Sequence, residues 1–322
     1  MPSGARALVI LGTGGTIAGE AASPSDDLGY RSASLPVAAL VNALQPPPGF
    51  VLESEQVAQL DSKDMDFAIW RRLALRIASH LARDDVAAAV VSHGSDTLEE
   101  TAYFLQRVLA PAKPVVMTAA MRPATSRRAD GPQNLRDAVL VASASGARGV
   151  VVLVAGAVHA ASDVRKIHPH RVDAFGSGDA GPLGRLLGGR LRMERPWPAA
   201  GDGSTVDLTR LANDDSDWPW VAIVASGAGA DPRVVRTLVD AGVDGIVVAA
   251  TGNGTIHRAL EAPLREAAAR GCAVLRATRC LAGAIVDPAA PGDTLPSAGA
   301  LTPQQARVEL IVRLLERRAA AG

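Results

Sequence analysis

The sequence predicts an α/β protein of two domains, each a mainly parallel sheet flanked by helices, with a larger N-terminal domain and a smaller C-terminal one. Short apolar runs rich in Val and Ala alternate with amphipathic stretches of helical period along almost the whole chain. The runs are continuously apolar, the pattern of strands buried on both faces of a parallel sheet. The alternation breaks once, where Pro196, Pro198, Gly201, Gly203 and the run Asn213-Asp214-Asp215-Ser216-Asp217 read as a linker. The expected organisation is an N-terminal α/β domain over 1–190, a linker over 191–217 and a second α/β domain over 218–322.

The first strand is expected at 7–11 (Ala-Leu-Val-Ile-Leu), and further strands at 86–92, 114–118 and 149–154. Between them, 66–82 and 98–109 carry helical periodicity, the second with Leu98, Ala102, Leu105 and Leu109 on one face. A third helix runs from Arg136 to Ser145, after Gly131-Pro132. Beyond the linker, Val221–Ala225, Gly245–Ala250 and Ala273–Ala277 read as strands, and Pro232–Ala241, Ile256–Arg270 and Pro303–Ala320 as helices.

Composition excludes several classes. Lys plus Arg and Asp plus Glu both number 33, so the chain has no electrostatic footprint for nucleic acid or an anionic membrane. No apolar run is long enough to span a bilayer, and residues 1–6 are too short for a secretory leader. Cys272 and Cys280 lack zinc-type spacing and read as free thiols of a reducing compartment. A soluble, cytoplasmic protein that binds a small molecule is the expectation.

The most informative stretch follows the first strand: Gly12-Thr13-Gly14-Gly15-Thr16-Ile17-Ala18-Gly19. Glycines permit backbone angles closed to other residues and a close approach of ligand to main chain. A dinucleotide fingerprint needs a third glycine where Ile17 stands, and Gly-Lys-Ser/Thr occurs nowhere, so phosphate binding is excluded. The turn presents hydroxyls, Thr13 and Thr16, although Thr16 as a simple helix cap fits equally well. A second stretch, Ser92-His93-Gly94-Ser95-Asp96-Thr97-Leu98-Glu99-Glu100, repeats strand, glycine, hydroxyl and helix. Asp96 with Glu99, or Thr97 with Glu100, also fits a capping box. A parallel sheet brings such strand ends together.

Asp163-Val164-Arg165-Lys166 offers a lysine able to activate a hydroxyl, or a surface Asp163–Lys166 pair at helical spacing. Asp61-Ser62-Lys63-Asp64 either binds a small polar group or caps the helix starting near 66. His168 and His170 lack an accompanying carboxylate or cysteine cluster, so neither a metal nor another cofactor is expected.

These motifs resemble the signatures of the bacterial-type L-asparaginases. The resemblance runs through Thr13-Gly14-Gly15-Thr16-Ile17-Ala18 and His93-Gly94-Ser95-Asp96-Thr97, then Ala120-Met121-Arg122-Pro123 and Ala129-Asp130-Gly131-Pro132. Asp163, Lys166, Gly181-Pro182-Leu183-Gly184 and Gly252-Asn253-Gly254 follow in the family's order. The resemblance implies hydrolysis of the asparagine side-chain amide through an acyl-enzyme, with weak glutaminase activity. It makes Thr16 the nucleophile, Ser95 and Lys166 a second hydroxyl and its activator, Asp96 a substrate-binding carboxylate, and Tyr30 the tyrosine of a mobile lid over 20–34. Ser62 is then the holder of the substrate α-carboxylate, and Lys63, Gly94, Ala120 and Thr255 further substrate contacts. It also implies a homodimer or homotetramer with active sites between subunits.

Lys63, Thr255 and Ala290 depart from the family's pattern, and together weaken the expected recognition of an α-ammonium group. Two other roles stay open on sequence: an ammonia-generating subunit of a tRNA-dependent amidotransferase, and a non-catalytic amino-acid sensor. A sensor would dispense with Thr16, Ser95 or Lys166, all of which are present.

Overall fold

The computed structural model of the chain describes residues 5–199, 201, 204, 206–212, 215–287 and 295–321. The chain divides into two compact units, Met1–Gly203 with Leu208–Asp215 and Ser204–Asp207 with Ser216–Gly322. Gly203, Asn213 and Asp214 of the expected linker lie outside the described residues.

In the first unit, β1 (Arg6–Gly14) leads through a single 3₁₀ turn, Thr16–Ala18, into the hairpin β2 (Glu20–Ala21) and β3 (Tyr30–Arg31). Then come α1 (Val37–Val41), β4 (Phe50–Leu60), α2 (Phe67–Leu81), β5 (Val86–Ser92), α3 (Leu98–Leu109), β6 (Val115–Thr118) and α4 (Gly131–Ala142). The remainder is strand: β7 (Val150–Val154), β8 (Ala157–Ala160), β9 (Arg165–Lys166), β10 (Phe175–Gly176), β11 (Gly184–Leu187) and β12 (Arg190–Met193).

Eight strands form one sheet in the order β12-β11-β8-β7-β6-β5-β1-β4. The five strands from β7 to β4 pair in parallel, and β8, β11 and β12 extend the sheet antiparallel. Leu8, Val9, Ile10 and Leu11 of β1 are all fully buried, each worth roughly 1.5–3 kcal/mol relative to exposure. One face, with Leu8, Ile10, Val90, Val116 and Leu153, packs against Val37 of α1 and Leu135, Ala138 and Val139 of α4. α2 and α3 pair with each other, Trp70 stacking on Phe104 at 4.8 Å, and pack on β4 to β7.

Chain direction places the site. After β1 the chain passes outward through α1 to β4, whereas after β5 it passes the other way through α3 to β6. The chain therefore leaves the neighbouring strands β1 and β5 toward opposite sides of the sheet, a switch point at whose carboxyl ends open α/β sheets bind ligands.

The structure adds elements that the apolar pattern did not show. β4 reads as polar because Glu53 and Glu55 face Arg83 and Arg76, with ion pairs of 2.8 and 2.6 Å. The antiparallel extension consists of short strands with Arg190 and Arg192 on the edge strand β12, a composition that discourages further pairing. Residues 191–193, read as the start of the linker, belong to β12 and close this hairpin. Helix α4 starts at Gly131, five residues before the expected start, because Pro132 in a first turn has no N–H to waste.

The second unit matches the expected pattern closely. β13 (Val221–Ala225), β14 (Gly245–Ala250) and β15 (Ala273–Thr278) form a parallel sheet with β14 central. α5 (Arg233–Asp240) and α6 (Arg258–Ala269) share a core with Val224, Ile246 and Val248 through Val235, Leu260 and Leu264. α7 (Pro303–Ala321) packs on all three strands, and Gly245 leaves it room: a Cβ there would meet Leu310 Cδ2 at 2.9 Å. Among the described residues, no helix is long and apolar enough to cross a membrane.

Candidate active site

Two glycine turns meet main chain to main chain. Gly14 and Gly15 have φ of 102° and 82°, angles that favour glycine, and turn the chain sharply after β1. A Cβ on Gly15 would lie 2.3 Å from Gly94 Cα, and one on Gly94 would lie 2.4 Å from Ser62 Oγ. These two glycines allow the ends of β1 and β5 and the turn after β4 to converge. Thr16, 7% exposed, is delivered beside Ser95, 6% exposed. Thr16 does not act as a cap: Gly15 occupies the N-cap of its turn, and the Thr16 Oγ1 instead meets the Tyr30 hydroxyl at 2.7 Å.

The second stretch is also not a capping box. Thr97 is the N-cap of α3 but its hydroxyl donates to the Ser62 carbonyl at 2.8 Å, away from the helix. Asp96 and Ser95 instead receive the Lys166 ammonium, at 2.6 and 2.9 Å. The Asp163–Lys166 helical pair does not form, because Lys166 lies on a strand and Asp163 pairs with Arg195 at 2.9 Å. Glu99 accepts the Lys166 backbone N–H at 2.5 Å. Burial is the largest influence on this carboxyl and pushes it up to about 7, against the downward pull of that hydrogen bond. Its folded value lies above the ordinary 4.5, so the associated stability is full below about pH 4.5 and is lost as pH rises through about 7.

The hairpin β2–β3 arches beside these groups. Asp27 near its tip accepts from Ser126 at 2.5 Å and Arg128 at 2.6 Å, and Arg122 stands 3.7 Å away. The Ser126 hydrogen bond and then the two arginines hold the Asp27 carboxyl below its usual range. Asp130 braces the opposite wall, accepting the Met121 and Arg122 backbone N–H groups at 2.9 and 3.0 Å. The cleft between these groups, about 490 Å³, is of small-molecule size. Thr16, Tyr30, Ser95, Asp96 and Lys166 line it, with Asp27, Leu28, Met121, Arg122, Pro169 and His170.

Of the expected substrate contacts, Ser62 is buried beside the cleft and its Oγ accepts the Asp96 N–H at 3.2 Å. Gly94 forms the turn, and Ala120 is buried at the carboxyl end of β6. Lys63 is not brought into the cleft: it is exposed and its ammonium sits 2.5 Å from Asp64. Asp61 caps the Ser62–Asp64 turn, while Asp66 caps α2. Thr255 belongs to the second unit, its hydroxyl 2.8 Å from that of Thr251. Ala290 lies outside the described residues. In the sequence Glu99 read only as a cap, Asp27 only as part of the lid over 20–34 and Arg122 only as part of a family motif, none with a role of its own. Asp27 and Arg122 both belong to charge-rich segments that read equally well as solvated surface.

Residues 7–199 match the family described as Asparaginase, N-terminal, and residues 220–320 that described as Glutaminase/Asparaginase C-terminal domain. The chain is 38% identical over 316 residues to "L-asparaginase 2" of Escherichia coli (strain K12), covering 96% of this chain and 89% of that protein. It is 34% identical over 314 residues to the "Glutaminase-asparaginase" of Pseudomonas fluorescens, covering 95% and 86%. Its fold matches the crystal structure of a probable cytoplasmic L-asparaginase from Campylobacter jejuni with a TM-score of 0.86 and 36% identity, covering 96% of this chain and 95% of that one. Both sequence halves and the whole fold agree with the motifs gathered in the cleft: the chain belongs to the asparaginase family of hydrolases.

Proposed function

We propose that this enzyme hydrolyses L-asparagine to L-aspartate and ammonia, with Thr16 as the nucleophile of an acyl-enzyme route. The observation that carries the reading is the convergence of two hydroxyls on one cleft, Thr16 backed by Tyr30 and Ser95 backed by Lys166. An amide is a poor electrophile, so the chemistry needs an activated hydroxyl, donors for the developing oxyanion and a proton for the departing ammonia. Thr16 Oγ1 attacks the side-chain carbonyl carbon, the C–N bond breaks as nitrogen gains a proton, and ammonia leaves. Water then attacks the Thr16 ester and releases aspartate. Ser95 and Lys166 relay protons, and backbone N–H groups of the two glycine turns face the oxyanion.

Asp96 receives the substrate α-ammonium and Ser62 the α-carboxylate, with Gly94 and Ala120 supplying main-chain walls. Lys63 has no part in this reading, since its ammonium is held by Asp64. Weak glutaminase activity belongs to the same chemistry with a side chain one methylene longer. The two free thiols suit a cytoplasmic enzyme, and the assembly we propose is a homodimer or homotetramer with sites completed between subunits.

Ammonia release by the purified protein tests this. L-Asparagine is expected to be turned over, and Lys166→Met to lower kcat by about 10²–10⁴, the range of a positioned acid–base group, while KM and Tm change little. No ammonia from asparagine would overturn the reading. Full activity in Lys166→Met would remove the relay from it.

A further inference from the structure

We infer that Glu99 is the positioning residue for Lys166: from the first turn of α3 its carboxylate accepts the Lys166 backbone N–H, fixing the strand from which the ammonium reaches Ser95 and Asp96. The inference rests on the asparaginase reading of this cleft and adds a residue to it.

The strand that carries Lys166 is weak by itself. Among the described residues the two-residue β9 pairs with the two-residue β10, Lys166 opposite Phe175 and Arg165 opposite Gly176. A ladder that short has little independent stability. Lys166 is also tethered far from its targets in sequence, 71 residues from Ser95 and 70 from Asp96. Its four-carbon stem would let the ammonium wander if the backbone beneath it moved.

Glu99 removes that freedom. Ser95 and Asp96 lie just before α3, and Glu99 lies in its first turn, so the three residues are held on one continuous turn-and-helix segment. Ser95 and Asp96 hold the head of Lys166 while Glu99 holds its backbone root. The short segment from Ser95 to Glu99 thereby grips the lysine at both ends. A misplacement of about 1 Å at a reacting group can cost about 10²-fold in rate, so a fixed root matters to the chemistry.

The charged neighbours of Glu99 are Glu100 on its own helix and Arg165 and Lys166 on the facing strand. Burial and Glu100 favour the neutral acid, whereas the Lys166 N–H and the two cations favour the carboxylate, and the balance falls near pH 7. An ionised acceptor makes the shorter, stronger hydrogen bond. The root of Lys166 is therefore held best above neutrality.

Glu99→Ala and Glu99→Gln, assayed for ammonia release from L-asparagine between pH 5 and 9 with thermal melts alongside, test this. Glu99→Ala should lower kcat about 30-fold or more with KM within about threefold, and Glu99→Gln, which keeps an acceptor oxygen, should stay within about threefold of the parent optimum. The rise in parent activity through about pH 7 should be absent from Glu99→Gln. Unchanged kcat in Glu99→Ala, equal losses in both variants, or a retained pH 7 limb in Glu99→Gln would each overturn the inference. If Glu99→Ala does not fold, the Glu99→Gln profile decides. An inactive parent would overturn the asparaginase reading instead. Hydrogen exchange at the Lys166 amide, faster in Glu99→Ala than in the parent or Glu99→Gln, would then still decide the tie.

Discussion

Thr16→Val is expected to fold normally and to lose at least about 10³-fold in kcat, a barrier increase of about 4 kcal/mol. Valine replaces a hydroxyl by a methyl of nearly equal size, so the packing of the Thr16–Ala18 turn is preserved. The lost partner is the Tyr30 hydroxyl, 2.7 Å away, which lines the cleft and regains a hydrogen bond from water, limiting the cost in stability to about 1 kcal/mol. A structural role for Thr16 therefore predicts a small effect on everything, and a nucleophilic role a large effect on rate alone. Steady-state kinetics with a melt separates them. A variant retaining more than about a tenth of the parent rate, a loss under ~1.4 kcal/mol, would exclude Thr16 as the nucleophile.

Gly15→Ala should be the most damaging single-methyl change in the first unit. Gly15 has φ of 82° and ψ of −173°, a region that residues with a Cβ occupy at a cost of about 1–3 kcal/mol. The new methyl would also lie 2.3 Å from Gly94 Cα and 2.5 Å from Gly94 N, and main chain cannot turn aside as a side-chain tip can. Strain and collision together place the loss above about 4 kcal/mol, roughly 10 °C in Tm, if the protein folds at all. Gly188 is the control, because its φ is 56° but nothing lies within 4 Å of a Cβ there. Gly188→Ala carries strain without collision and should cost about 1 kcal/mol. Similar melting temperatures for the two variants would show that the contact between the turns is not rigid.

Legibility followed burial. The central strands β1, β5, β6 and β7, and β14 of the second unit, were readable because each is almost wholly apolar, the composition of strands covered on both faces; β13 and β15 were readable as apolar runs although Ile223 is 39% exposed and β15 holds Arg276. β4 escaped because its edge position lets Glu53 and Glu55 pair with arginines, so its composition resembles a loop. Strands β9 and β10 escaped because two residues carry no period. The hydroxyls were readable for a different reason. Thr16 and Ser95 follow glycines at strand ends, and the geometry of such ends is nearly independent of the rest of the chain. Lys166 had to be placed by resemblance, because its local spacing favoured a pair with Asp163 that Arg195 takes instead. Glu99 was visible only as a cap, since the strand it holds is distant in sequence and leaves no mark near it. Lys63, placed among the substrate contacts by resemblance, is exposed with its ammonium on Asp64, its immediate neighbour.

The hairpin over the cleft is attached by two kinds of bond, and salt acts on only one of them. At its root, Ala33 N–H donates to the Gly15 carbonyl, and Ser34 and Leu35 donate to that of Ala18, at 2.7–3.0 Å. These main-chain bonds tie the root to the nucleophile turn and are indifferent to ionic strength. The tip is held by Asp27, which takes the Ser126 hydroxyl and the charges of Arg128 and Arg122, and by the Arg127 N–H on the Pro24 carbonyl; of these only the ion pairs answer to salt, the Arg128 side chain being 70% exposed, where dissolved ions reach it. Added salt should therefore loosen the tip while leaving Thr16 in place, so that opening and product release respond to the ionic medium and the bond-making step does not. Stopped-flow turnover in rising sodium chloride should show a salt-dependent release step that disappears in Asp27→Asn. A salt response confined to the chemical step would mean that this latch does not limit access to the cleft.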